Sequence, residues 1–565
     1  MSNYVVTLLD TTGIQSYIFN SNRLRENIGA SYLISQATGD LDPNTDDWVK
    51  KQLEQLGVPK NRQQELIKDS GLNAQLVYAG GGNAMLLFKS MDIAKDFTRK
   101  LSRQIIEHAP GLNIVAAHDD FDWKNDCLYE KVKKLQSEEL EKQKRARIPS
   151  APLLGLGVTA FCNSTQLPAV TTNEGYIKDI DEEDICLVSR ETEAKLKVVS
   201  SKHGEPPANQ ALKLRFADVL HQTDYQFPYR MDHLGRSRGE SSYYAVIHAD
   251  GNGMGERFKE YGKNSRNNCD YVNRMRGLSN SVNQASLAAV KKVVRVLINS
   301  IDSEGKVMGK FPIFTQDGTP YLPFRPLVYG GDDVTFVCDG RLGLALATIY
   351  LQALQEPLLD DGKQMTACAG VCIVKSHYPF ARAYALSEAL CNNAKKFIRE
   401  QKQDWGKEFS GIDWQIAASG LFGTIGDIRQ REYQVVTGDL TMRPVLIQEE
   451  ENEWRTWSNF ISAVECFNGY RDEQECQEWK DRKNKIIALR EKLREGQKAT
   501  KQFRKAYRID RLPLMKGGDE IALGETGWTE KHCGYFDAIE AMDFYFPLNQ
   551  GVSDDCLQAE NQAVE

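Results

Sequence analysis

Two short segments of this chain place carboxylates beside glycines at the ends of apolar runs. The first is Ala245-Val246-Ile247-His248-Ala249-Asp250-Gly251-Asn252-Gly253-Met254-Gly255. The second is Leu327-Val328-Tyr329-Gly330-Gly331-Asp332-Asp333-Val334-Thr335-Phe336-Val337. Aspartate supplies hard oxygen ligands of the kind Mg2+ takes together with substrate phosphates. Glycine lets the main chain approach phosphate oxygens. Asp250, Asp332 and Asp333 are therefore the candidate catalytic and metal-binding residues, with Mg2+ or Mn2+ as the expected ion. Such a set suits displacement at a nucleoside triphosphate, with one ion activating a 3′-hydroxyl and both stabilising the departing pyrophosphate. A lone Gly-Gly-Asp-Asp is equally good turn chemistry. The second Asp-Gly-rich strand end is what favours metal.

The candidate nucleotide-binding residues follow from the same segments. Gly251, Asn252, Gly253, Met254 and Gly255 precede a helix and offer backbone N–H groups to a triphosphate. Gly330 and Gly331 complete the set. No Walker A sequence is present. Lys395 and Lys396, near the end of the last helix of this region, are placed to meet a γ-phosphate as point charges, although lysine is favoured at helix ends in any case.

The elements that must hold these residues are legible from periodicity. A strand over 243–249 leads to a long amphipathic helix carrying Met275, Leu278, Val282, Ala285, Val290, Val293 and Leu297. Strands over 326–329 and 334–338 form a hairpin around Gly-Gly-Asp-Asp. A helix over 342–354, a strand over 365–374 and a helix over 379–400 follow. The order is βαββαβ, the ferredoxin-like arrangement, in which strands one and three are neighbours, so Asp250 is expected beside Asp332 and Asp333. The N-terminal part repeats the plan. Leu8-Leu9-Asp10-Thr11-Thr12-Gly13 ends a strand, and Leu76 to Phe88 mirrors the later hairpin with Gly82 and Asn83 at the two acidic positions.

The expected fold is α+β: two ferredoxin-like units, an α-rich connector and a helical C-terminal domain. The divisions are 1–115 for the degenerate first unit, 116–240 for the connector, 241–438 for the second, catalytic unit and 439–565 for the helical part with a solvated tail. In the connector, 131–147 is charged and helical in composition, 148–152 breaks it, and 202–209 and 235–240 read as loops. Cys162 and Cys186 stand there singly, with His203 the nearest other ligand type, so free thiols are favoured over zinc. The basic stretches 131–147 and 480–508 are candidates to dock RNA or protein, with solvated helix faces the plainer reading.

Composition narrows the classes. A chain of 565 residues exceeds one ordinary core. Its 41% hydrophobic and 26% charged content is that of a globular protein. A net charge of −7 argues against a protein coated by nucleic acid. The twelve cysteines lack CxxC pairs, which predicts reduced thiols. No signal peptide or membrane-spanning run is evident, so a cytoplasmic location is expected.

Ala-Asp-Gly-Asn-Gly-Met-Gly at 249–255, Gly-Gly-Asp-Asp at 330–333, and His377-Tyr378-Pro379-Phe380 leading into the helix with Lys395 resemble the second palm domain of the large subunit of type III CRISPR effector complexes. Asp10-Thr11-Thr12-Gly13-Ile14-Gln15-Ser16-Tyr17-Ile18-Phe19, followed by Arg23 to Ser31, resembles that family's first, degenerate palm. The resemblance implies two palm domains and a Mg2+- or Mn2+-dependent nucleotidyltransferase condensing ATP into cyclic oligoadenylates for antiviral defence. Protein subunits of a defence complex, and RNA, are the candidate partners, with no membrane; the resemblance leaves open both a guide-RNA complex and a stand-alone relative. Asp250, Asp332 and Asp333 would hold metal and Gly251 to Gly255 the triphosphate. Three departures stand out. The HD nuclease of many relatives is missing, so DNA cleavage is not expected. Asn252 replaces a second acidic residue. Cys162 and Cys186 look like the remnant of a zinc site. A diguanylate-type or mononucleotide cyclase, and a nucleotide-binding scaffold, are the alternatives.

The first unit lacks acids at Gly82 and Asn83 and cannot complete the same cation site. Asp10→Ala is therefore expected to retain most nucleotide condensation, while Asp333→Ala loses it. Equal losses in two equally stable variants would contradict a single catalytic unit.

Overall fold

The computed structural model describes residues 3–40, 42, 45–146, 157–177, 180–200, 202, 204–221, 223–234, 242–405, 407–417 and 423–550. The helix break expected at 148–152, the loop at 235–240, His203 and most of the C-terminal tail lie outside these residues.

In the first unit, β1 (Asn3–Thr12) alternates its apolar side chains between two cores, as a strand covered on both faces must. Val5 and Leu9 join one core; Val6 and Leu8 join the other. Gly13, left-handed at φ 69°, turns the chain into α1 (Ile14–Phe19) and then α2 (Leu24–Thr38). The hairpin β2 (Ala74–Gly80) and β3 (Asn83–Phe88) precedes α3 (Met91–His108) and β4 (Asn113–Asp122). The sheet order is β2-β3-β1-β4, all antiparallel. Phe97 and Leu101 of α3 pack with Val5 and Leu9.

The basic stretch after β4 belongs to this unit. It forms α4 (Leu128–Lys134), a π-helical turn (Leu135–Leu140) and α5 (Glu141–Ala146). Leu128, Val132, Leu135 and Leu140 are buried with Val6 and Leu8. The division expected at 115/116 thus falls inside β4, because this strand and the helices after it complete the unit's own second core. Lys133 and Lys134 stay exposed on the outer face. Further on, the connector holds the hairpin β5 (Ala169–Thr172) and β6 (Leu187–Ser189).

In the second unit, β7 (Tyr243–Gly251), α6 (Met254–Lys263), α7 (Asn268–Asn299), β8 (Phe324–Val328), β9 (Asp333–Asp339), α8 (Gly343–Leu354), β10 (Ala367–Lys375) and α9 (Phe380–Trp405) follow in order. The four strands repeat the first unit's arrangement as β8-β9-β7-β10. Two strands unforeseen from periodicity extend the sheet: β11 (Gly411–Ala417), parallel to β10, and β12 (Val445–Leu446), antiparallel to β11. This sheet therefore runs past the division expected at 438. The architecture is α+β, with two ferredoxin-like units in tandem.

The C-terminal part is mainly helical, with a small four-stranded sheet. α10 (Lys483–Glu495) and α11 (Gln497–Tyr507) bury Ile486, Leu489, Leu493 and Phe503 in the core shared with the second unit. Lys485 is also buried, donating to Glu478 and lying over the Trp479 ring. It is not available as part of an exposed docking face. Cys466 and Cys476 form a disulfide, against the expectation of reduced thiols. Their Cα atoms stand 4.8 Å apart, within bridging distance. Among the described residues no helix is long and apolar enough to cross a membrane.

One close approach fixes the second unit's layers. A Cβ on Gly370, in the middle of β10, would lie 1.9 Å from the Ser387 carbonyl oxygen and 2.5 Å from the Cys391 nitrogen of α9. Helix α9, which carries Lys395, thus rests directly on the strand backbone. Gly370→Ala is expected to destabilise the chain by about 1–3 kcal/mol or more through overpacking. A urea transition at the wild-type midpoint would show that α9 sits further from the sheet.

Candidate active site

Strand pairing brings the expected carboxylates together. Asp250, near the end of β7, lies directly opposite Asp333 at the start of β9, and Asp332 precedes it in the turn. The Gly251 N–H donates to the Asp332 carbonyl at 3.1 Å, locking the two loops. Gly330 and Gly331 have φ of 106° and 81°, a conformation that L side chains rarely adopt. A Cβ on Gly251 would lie 2.8 Å from Met254 Cγ and 3.0 Å from Asp332 Cβ, so that position has no room for a side chain.

The electrostatics of the cluster are those of crowded like charges. Burial, then the neighbouring Asp250 and Asp332, pushes the Asp333 carboxyl up to about 8. Burial and Asp250 also raise Asp332. Lys395 of α9 supplies the local positive charge, pairing with the Asp250 carboxylate and donating to the Gly251 carbonyl at 3.0 Å. His248, two residues before Asp250, is pushed down to about 4 by burial, then by Lys395. Its imidazole is neutral, shares a hydrogen bond with Thr335 Oγ1 at 3.2 Å, and belongs to the packing behind the site.

The remaining expected residues divide. Gly253 caps α6 in the left-handed region, φ 63°, and offers no side-chain cap of its own to the first-turn amides of α6. Nothing lies within 4 Å of a Cβ built on Gly255. Asn252 is occupied structurally: its amide donates to Thr366 Oγ1 at 3.2 Å and to the Phe409 carbonyl at 2.9 Å. Met254 is a core residue at 4% exposure; only its backbone can serve a ligand. Lys396, beside Lys395 on a helix, points elsewhere: its side chain is 75% exposed and its nearest acid is Glu400 at 4.0 Å. Adjacent helical residues do not share a face, so one lysine of the pair reaches the site and the other does not.

Among the described residues no group of three or more His, Cys, Asp or Glu side chains is arranged to share one ion. Asp250 and Asp333 face each other while Asp250 is held by Lys395. The donor set nevertheless fits a hard divalent cation: carboxylate oxygens, mutually repelling, at the ends of rigid strands. Cys162 and Cys186 are buried free thiols, and Cys162 contacts the Thr192 hydroxyl.

A cavity of about 1080 Å³ opens at this cluster, between the two units. Gly330, Asp333 and Asn283 of α7 line it from the second unit; Thr11, Gly81 and Gly82 line it from the first. Asn283 gave no sequence signal, being one polar residue within a long amphipathic helix. A Cβ on Gly331 would stand 3.7 Å from Gly81 Cα, so the two glycine turns are in van der Waals reach.

The first unit copies the geometry without the acids. Asp10 lies opposite Asn83. The Thr11 N–H donates to the Gly82 carbonyl at 2.9 Å, as Gly251 does to Asp332. Gly13 caps α1 as Gly253 caps α6. Lys144 of α5 pairs with Asp10 at 2.6 Å, as Lys395 does with Asp250. The side chains are exchanged: a Cβ on Gly82 would lie 2.1 Å from Ile14 Cδ1 and 2.6 Å from Thr11 Oγ1. Where the second unit has glycine then aspartate, the first has threonine then glycine.

Residues 243–404 match the family model described as Cas10/Cmr2, second palm domain. This region is similar to a Cas10-type second palm. Solved structures similar to the whole chain include Csm1 in T. onnurineus, at 14% identity over 96% of this chain and 69% of that one, TM-score 0.49. Two Csm1–Csm4 cassettes are similar over the same shares: one in complex with cA4 (12% identity, TM-score 0.49) and one in complex with AMPPNP (15%, 0.48). No curated protein matches the chain in sequence. The matched region ends within α9, so it includes Asp250, Asp332, Asp333 and Lys395.

The raised Asp333 carboxyl has a pH consequence. Its ordinary value is near 3.8 and its folded value is about 8. Its contribution to stability is full below the ordinary value and is lost as pH rises toward and past the folded one. In EDTA, Asp333→Asn and wild type are expected to melt together near pH 4. The variant should melt higher at pH 9, where wild type must ionise a crowded carboxyl. A constant difference across that range would mean that Asp333 ionises freely.

Proposed function

We propose that this chain is a metal-dependent nucleotidyltransferase that condenses NTP, most readily ATP, into a cyclic oligonucleotide signal for antiviral defence. The observation that carries the reading is the juxtaposition of Asp250 and Asp333, charge-crowded, with Asp333 at the wall of a cavity large enough for nucleotides between two palm-like units. The match of residues 243–404 to the Cas10/Cmr2 second palm domain supports a palm-type nucleotidyltransferase or cyclase.

Asp250, Asp332 and Asp333 are the residues that would hold Mg2+ or Mn2+. The ion, when bound, supplies Lewis-acid activation of a hydroxyl and neutralises charge on the departing pyrophosphate. The chain's own residues do the rest. Lys395 balances Asp250 in the free protein; once that carboxylate is otherwise engaged, the ammonium is free to pair with a phosphate. The first-turn amides of α6 offer a second anion contact. The turn Gly330–Gly331 forms the wall that the reacting groups meet, and the first unit's turn closes it from the other side.

The facing units also suit a diguanylate-type or mononucleotide cyclase, which uses two palms face to face. Product mass separates these readings. Protein subunits of a defence complex, and RNA, are the proposed partners and switches. The ligands recorded with the Csm1–Csm4 cassettes, cA4 and AMPPNP, are the first to try as binding probes.

The test is incubation of the purified full chain, with and without RNA, with each labelled NTP and Mn2+, followed by mass analysis of products. Cyclic oligonucleotides from ATP are expected. Asp332→Ala and Asp333→Ala should each cut turnover by about a hundredfold or more with a melting transition no lower than that of wild type, since each removes a crowded, raised carboxyl. Undiminished turnover in a folded double variant would overturn the assignment.

A further inference from the structure

The two units meet through a pair of matched irregularities. Each hairpin has a β-bulge on its first strand. In the first unit the pairing skips from Leu76 to Tyr78, leaving Val77 as the extra residue. In the second it skips from Pro326 to Val328, leaving Leu327. Each extra residue stands three before the first turn glycine, Gly80 or Gly330. A bulge leaves its extra residue outside the ladder, with backbone groups needing partners.

Both partners come from the opposite unit. Arg276 of α7 donates to the Val77 carbonyl at 3.2 Å and to the Leu76 carbonyl at 3.0 Å. Ser31 of α2 donates to the Leu327 carbonyl. The packing is crossed in the same way. Val77 is buried with Tyr271, Val272 and Met275 of α7; Leu327 is buried with Ile28 and Ile34 of α2. Arg276 has no carboxylate partner among the described residues, and burial pushes it down to about 10. Its charge is committed to two carbonyls of the neighbouring unit, bonds stronger than neutral ones. The same helix carries Asn283 against the Gly330 turn, where a Cβ on Gly330 would meet Asn283 Oδ1 at 2.7 Å.

We propose that Ser31 and Arg276 are paired positioning residues, reciprocal clamps on the two bulges that keep the Gly80–Gly82 turn seated against the Gly330–Asp333 turn and so set the shape of the cavity. Neither touches the reacting atoms. Their action is on the two hairpin tips together, because each tip is held by the other unit's helix. The proposal rests on the nucleotidyltransferase reading only for its activity readout.

Hydrogen exchange of the full chain, read by mass spectrometry, tests it. Ser31→Ala and Arg276→Met are each expected to speed exchange by roughly tenfold, the scale of one lost hydrogen bond, at both tips, 76–82 and 327–333. The central strand 367–375 should stay protected. Arg276→Lys, which keeps a donor, should recover most of the protection, and ATP condensation should fall and recover in parallel. Acceleration confined to the contacted bulge, or none at either tip, would overturn the clamp. Should Arg276→Met fail to fold, Ser31→Ala, which removes one hydroxyl, decides by the same criterion. A wild type without NTP turnover would sink the enzymatic reading and leave the exchange result standing.

Discussion

The contact on which the rest of the molecule depends is that between the two glycine turns, Gly80–Gly82 and Gly330–Asp333. Gly81 and Gly331, both at positive φ, bring two hairpin tips within van der Waals reach. Everything chemical in the chain is arranged around that meeting. The carboxylates stand on one side of it, the cavity opens beside it, and the two longest-range backbone contacts of the bulges hold it in register. Because each unit is a sheet with a helix layer, neither could close such a cavity alone.

The two units are related by a consistent exchange rather than by simple decay. At the strand end the second unit has Gly251 where the first has Thr11, and at the turn it has Asp332 where the first has Gly82. In each unit one of the two positions has no room for a side chain because the other holds one. An aspartate at Gly82 would collide with Ile14 and Thr11. The loss of the acid at Gly82 is thus built into the packing of the first unit, and the two lysines, Lys144 and Lys395, show that the repeat extends beyond the sheet into the helix that follows it.

Charge balance follows the same division. In the first unit Asp10 is matched by Lys144 and no second acid faces it. In the second, Asp250 has Lys395, but Asp333 and Asp332 bring surplus negative charge into a partly desolvated space, and their carboxyls are raised accordingly. A site that is electrostatically unsatisfied in the free protein is one that gains from a cation. Of the basic helices that looked like docking surfaces, Lys144 at Asp10 and Lys485 at Glu478 are taken up inside the fold, while Lys133 and Lys134 stay exposed.

Alternation and helical periodicity determined the four-strand plan of both units, since strand and helix faces must be apolar where they are buried. The Asp250–Asp333 pairing followed from that plan, because a ferredoxin-like order makes strands one and three neighbours. The sequence also carried the Gly251–Gly255 loop before a helix and the absence of acids at Gly82 and Asn83. Tertiary structure decided what depends on long-range geometry. Lys395 reaches the site and Lys396 does not because helix phase against the sheet is set by Gly370. Asn252 is held by Phe409, whose approach depends on a fifth strand with no distinctive pattern. The bulges at Val77 and Leu327, the donors Arg276 and Ser31, and the cavity itself arise only when two units, each readable alone, are placed face to face; local periodicity contains no term for that placement.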